Sequence, residues 1–122
     1  MHISLSYLSR AGILATLAYP LLALLLWFSL AIHLRVGLGK WPESIGVDPG
    51  TSLFRAHASA TFWMLTIGAY ATMAATALSV ILVAIPHTRK LSVYFLAFVV
   101  GCLTAFGLMH LAPRPFITWV LD

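Results

Sequence analysis

Three long stretches of the chain carry no charged side chain: residues 11–34, 57–85 and 91–111. Each reaches or exceeds the ~20 apolar residues that a helix needs to cross the hydrocarbon of a bilayer. Polar positions gather between them, in a long loop over residues 37–52 and a tight hairpin loop over residues 86–90. The pattern predicts an all-α integral membrane protein. Three transmembrane helices form an up-down-up bundle, with spans at about residues 11–36, 56–85 and 91–111 of a single domain covering 1–122. Pro113 and Pro115 end the third span. The apolar tail 116–121 is too short to cross and is expected to lie as a short C-terminal segment at the interface.

Local signals refine this outline. Ser6 or Ser9 is read as the cap of the first helix. Pro20 removes a backbone donor inside that helix and predicts a kink near residues 16–20. Gly37 and Gly39 are expected to stop it. Asp48 followed by Pro49 matches an N-cap with proline at the first helical position, which starts the second helix near Pro49. The second span is rich in small residues, with Gly68 and Thr72 four apart and Ala75 following Ala71. The third carries Ala97, Gly101 and Ala105. Small residues let helix backbones approach closely in lipid. These six positions, Gly68, Thr72, Ala75, Ala97, Gly101 and Ala105, are read as the packing seam, with the second helix central and the leucine-rich first helix turned to lipid or a partner.

Composition agrees. The 122 residues are 61% hydrophobic and 8% charged, against ~25% charged in a water-soluble domain. The first apolar run is too long for a signal-peptide core of ~7–15 residues, so it is expected to stay as an anchor. The net charge of +4 comes from Lys and Arg at span ends, where they meet lipid phosphates. That placement argues against nucleic acid as a partner and for bound lipids. Arg10, Arg89 and Lys90 fall on one side, and Arg35, Lys40, Arg55 and Arg114 on the other. The dense short hairpin tips the orientation toward a cytoplasmic N-terminus in a bacterial inner membrane. The single cysteine, Cys102, lies in the third span and is read as a packing residue.

Topology groups the side chains with chemistry. His33 ends the first span, His57 starts the second and His110 ends the third, which puts all three imidazoles at one membrane face. Arg35, Trp41, Arg55, Trp63 and Trp119 join them there. Interfacial anchoring explains such a set, because each side chain has an apolar body and a polar tip. Contact with a partner subunit is a second reading, and ligation of haem, a chlorophyll-type magnesium or a transition metal a third. No two histidines stand at i, i+4, so a metal site is not expected within one helix.

The stretch LWFSLAIHLRVGLGKW, residues 26–41, resembles the span of bacterial light-harvesting α polypeptides. These carry a histidine near the membrane boundary, a small residue four positions earlier and a tryptophan further on, here His33, Ser29 and Trp41. The resemblance covers 16 residues of a chain with more spans than an antenna polypeptide. It implies a bacteriochlorophyll on His33 with Ser29 leaving room for the macrocycle. Length and span number also resemble the three-span membrane anchor of succinate dehydrogenase. That class usually holds haem from its second span, where this chain offers His57 at the very start.

Catalysis finds no footing. Glu43, Asp48 and Asp122 are the only acids, and all lie in polar segments, outside any intramembrane proton path. No nucleophile elbow, phosphate loop or zinc-protease helix occurs. The expectation is a non-enzymatic accessory subunit of a larger bacterial membrane complex in photosynthetic or respiratory energy transduction, with other membrane subunits as partners. A haem- or bacteriochlorophyll-binding subunit using His33, His57 or His110 is the alternative. A self-associating small channel or transporter is the third.

Overall fold

The computed structural model describes residues 5–121, with side chains described from residue 10 onward. Four α-helices make up the fold: α1 Leu5–Leu38, α2 Ser52–Ala84, α3 Arg89–Met109 and α4 Arg114–Leu121. No strand occurs among the described residues. The first three are long and apolar enough to cross a membrane.

Helix boundaries follow local chemistry, at places other than some that the sequence suggests. The backbone is already helical at Leu5, so Ser6 and Ser9 lie within α1 and not at the cap position. It also runs on through Pro20. Gly37 lies inside α1, and Gly39 alone marks its end: it takes a left-handed φ of 71° just after Leu38, a conformation open to glycine at little cost. Helix α2 starts later than Pro49. Thr51 is its cap, with Oγ1 accepting from the Phe54 amide at 3.1 Å. Asp48 instead accepts the Gly50 amide at 2.5 Å and shapes the loop as an Asx turn.

The hairpin between α2 and α3 satisfies carbonyls that a helix end leaves without partners. Thr88 Oγ1 donates to the carbonyls of Leu82 and Ile85, at 3.0 and 3.1 Å, and Arg89 Nε donates to that of Val83 at 3.1 Å. Within the helices, the threonine hydroxyls of Thr61, Thr66, Thr72, Thr76 and Thr104 donate to the carbonyl four residues back. Each therefore needs no partner outside its own helix.

The buried apolar cluster lies along the C-terminal half of α1, while the most extensive helix–helix contact is the expected one between α2 and α3. Ala23, Trp27, Leu30, Ala31 and Leu34 join Phe54, Met109, Ala112 and Phe116 in one buried cluster. Gly68 and Gly101 likewise turn out to serve α1. A Cβ on Gly68 would lie 2.9 Å from the Tyr19 ring, and one on Gly101 would lie 3.2 Å from Pro20. Ala75 and Ala105 are buried, Thr72 is half-buried and Ala97 is exposed beside α1. The buried face of α2 reads Phe54, Thr61, Gly68, Ala75 and Ser79, mostly seven residues apart, as helices crossing at shallow angles require.

Contacts run in opposite senses along the neighbours of α1. Gly12, Pro20 and Trp27 meet Tyr94, Gly101 and Met109 of α3 in rising order. Tyr19, Ser29 and His33 meet Met64, His57 and Phe54 of α2 in falling order. The short α4 closes one end. Phe116 is fully buried with its ring edge-on to Trp27 at 4.9 Å, and Trp119 Nε1 donates to the Val47 carbonyl at 3.0 Å.

Candidate functional site: a histidine pair and an apolar cleft

One turn of α1 and one turn of α2 face each other near the end closed by α4. Ser29 and His33 are four apart on α1, so both project from one side. His57 enters between them from α2. Its Nε2 lies 2.9 Å from Ser29 Oγ, and its Nδ1 lies 3.0 Å from His33 Nδ1. Ser29 Oγ also donates to the Leu26 carbonyl at 3.0 Å.

These contacts assign the protons. A carbonyl can only accept, so the single hydroxyl proton of Ser29 is committed to Leu26. Ser29 Oγ must then accept from His57 Nε2–H. Neutral His57 therefore presents its Nδ1 lone pair to His33, whose Nδ1–H donates. One direction of the chain satisfies every contact. The His33 ring is also held edge-on by fully buried Phe54, with centroids 5.2 Å apart at 82°.

His110 stands apart from this pair. It caps α3, is exposed, and sets its ring edge-on to Phe106 at 5.1 Å. Among the described residues, no three His, Cys, Asp or Glu side chains converge closely enough to hold a metal ion.

The position that the antenna resemblance leaves open for a macrocycle, over Ser29, is filled by the His57 imidazole. These residues do not fit a flat pigment there.

The surrounding polar and aromatic residues divide between core and surface. The Arg35 guanidinium sits 5.9 Å from the centre of the Trp41 ring, within cation–π range. Being in the last turn of α1, it also complements the helix dipole. Arg55 and Trp63 are exposed, while Trp41 and Trp119 pack against the core. In the loop, Lys40 Nζ lies 2.6 Å from Glu43 Oε1, and this ammonium holds the Glu43 carboxyl below its ordinary pKa.

A second feature is a cleft of about 430 Å³ between α2 and α3, floored by α1. Trp27, Met64, Leu65 and Phe106 make most of its wall apolar, and His110 stands among its lining residues. Its polar groups are largely spoken for: Tyr19 donates to the Met64 carbonyl and Thr72 to that of Gly68.

Tyr70 is the residue that the sequence reading passed over. It lies near the middle of α2, is 70% exposed, and its hydroxyl meets no acceptor among the described residues. A phenol at mid-span between runs of apolar residues was the available signal.

Compared with protein-family models, curated proteins and solved structures, the chain matches none. The fold and site thus define a class only: a helical protein with three helices long and apolar enough for a multi-pass membrane protein.

Proposed function

We propose that this protein is a non-enzymatic accessory subunit of a larger membrane complex, crossing the bilayer three times in an up-down-up sense. The opposed and parallel contact registers of α2 and α3 against α1 support the crossing order. Sparse burial supports the need for partners or lipid. In the apolar windows of α1, α2 and α3, only 22%, 17% and 11% of the residues are buried.

The observation that carries the reading is Tyr70. With α2 across a bilayer, its hydroxyl falls near the midplane, about 15 Å from either surface of a ~30 Å hydrocarbon layer. A phenol cannot reach water from there, and an unpaired hydroxyl in hydrocarbon is costly. A helix of another subunit, carrying an acceptor at that depth, removes the cost. The same face of α2 is built for close contact: Ala56, Ala60, Trp63, Ile67, Tyr70, Ala74 and Ala77 alternate at three and four residues, and all are exposed. Small residues flanking a hydrogen-bonding side chain are how helices associate in lipid.

The test places a photoreactive phenylalanine analogue at Tyr70 and, as a control, at the equally exposed Leu25 of α1. Irradiation of native membranes should give a discrete protein adduct from position 70 and lipid adducts from position 25. Lipid adducts alone at both positions would contradict the proposal.

A further inference from the structure

We propose that the cleft between α2 and α3 holds one acyl chain of an anionic phospholipid, with the lipid phosphate at Arg114 and His110. The cleft lies in the half of the bundle away from the hairpin: its α2 lining runs from Phe62 to Met73 and its α3 lining from Cys102 to His110. Helix α3 has 21 residues, about 31 Å of length, which matches a ~30 Å hydrocarbon layer. With Arg89 at one surface, His110 therefore reaches the other. The cleft descends about 12 Å from His110 to Cys102, and runs about 16 Å from Phe62 to Met73. That is the depth of one leaflet, ~15 Å. The assignment rests on α3 crossing the bilayer, as proposed above, which sided labelling of cysteines tests separately.

The lining decides what fits inside. A volume of about 430 Å³ falls within the ~300–1,000 Å³ of small-molecule sites. A helix of another subunit, roughly 10 Å wide, needs about 1,200 Å³ over the same ~15 Å depth. A hydrocarbon chain is only about 4 Å across, the contact distance of carbon atoms, and fits. Polar ligand groups find few partners: Tyr19 is committed to the Met64 carbonyl, Thr72 to that of Gly68 and Trp27 Nε1 to that of Met109. Exposed Phe62, Met73, Leu103 and Phe106 border the cleft, so lipid enters sideways from the bilayer.

Charge at the mouth selects the headgroup. His110 is an exposed lining residue there. On α4, Arg114 stands three residues before Ile117 and seven before Leu121, both of which line the cleft, so it shares their face. Of the described acids, Glu43 is held by Lys40 and Asp48 by the Gly50 amide. The Arg114 guanidinium thus has no carboxylate partner among the described residues. A guanidinium and an imidazole N–H are donors suited to phosphate oxygens. A zwitterionic headgroup would bring an ammonium beside Arg114, and that like charge weakens binding.

The test uses the full-length protein in detergent micelles and native mass spectrometry. Phosphatidylglycerol, phosphatidylcholine and the free fatty acid, all with the same acyl chain, are added in equal parts. One phosphatidylglycerol should be retained per protein, in about 10-fold preference to phosphatidylcholine, the worth of a charge-assisted hydrogen bond. Ala69 is an exposed lining residue. Ala69→Phe fills the cleft and should abolish retention of either phospholipid while helical circular dichroism stays unchanged. Arg114→Gln should keep a bound phospholipid and lose the preference. No retained phospholipid, fatty acid in its place, or equal retention of the two phospholipids by the parent protein overturns the proposal. So does undiminished retention in Ala69→Phe. Should that variant lose its helical signal, Arg114→Gln decides, and an unchanged preference there overturns the proposal.

Discussion

Tyr19 of α1 closes over the backbone of Gly68 in α2, and its hydroxyl donates to the Met64 carbonyl one turn earlier. The contact exists because Gly68 has no side chain: a Cβ would sit 2.9 Å from the ring and 3.0 Å from its oxygen. Gly68→Ala should therefore destabilise the bundle by about 1–3 kcal/mol, the usual cost of overpacking. Adding Tyr19→Phe should recover part of it. Thermal unfolding in detergent measures both, and an unchanged midpoint in Gly68→Ala would refute the close approach.

Trp27 joins α1 to the end of α3, donating from Nε1 to the Met109 carbonyl at 3.1 Å. Trp27→Phe keeps an aromatic ring against Phe116 and removes the donor. A loss of about 1 kcal/mol is expected, typical of one hydrogen bond. A variant as stable as the parent would show that the bond contributes nothing.

Trp119 ties α4 to the long loop through the Val47 carbonyl. Trp119→Phe should leave the helices intact and speed amide exchange over residues 42–50 several-fold. Exchange at the parental rate would mean that the loop is held by something else, such as Pro49 lying against Gly37.

Glu43 should titrate below its ordinary value because Lys40 hydrogen-bonds its carboxylate. The sign follows from linkage: a depressed folded-state pKa adds stability above the ordinary carboxylate range, lost as pH falls through the depressed value. Both side chains are exposed, so solvent screening leaves that contribution very small. Lys40→Ala should raise the Glu43 pKa, read by carbon NMR, with no change in melting temperature. An unmoved titration would dissolve the pair.

The three long helices were legible because a bilayer-length apolar run has few other uses. The close approach of His33 and His57 was legible only as a shared end of the bundle. Which of three histidines meet depends on helix rotation, and helices with weak amphipathic pattern do not encode that locally. Hence His110 was grouped with the pair, and it lies apart. The small residues Gly68 and Gly101 were recognised as contact positions. Their partners, Tyr19 and Pro20, were missed because one small residue does not name the large side chain that fills its place. The start of α2 was misplaced because Asp48 serves a turn as readily as a cap. Thr51, three residues on, supplies the hydroxyl.

The most direct check of the three crossings is sided labelling of single cysteines in sealed vesicles of known orientation, on a Cys102→Ala background. Ser44→Cys in the long loop and Arg114→Cys at the start of α4 should react with an impermeant maleimide from the same side. His87→Cys in the hairpin should react only from the other. Labelling of positions 44 and 87 from one side, or of 44 and 114 from opposite sides, would contradict the topology, and with it the midplane depth assigned to Tyr70.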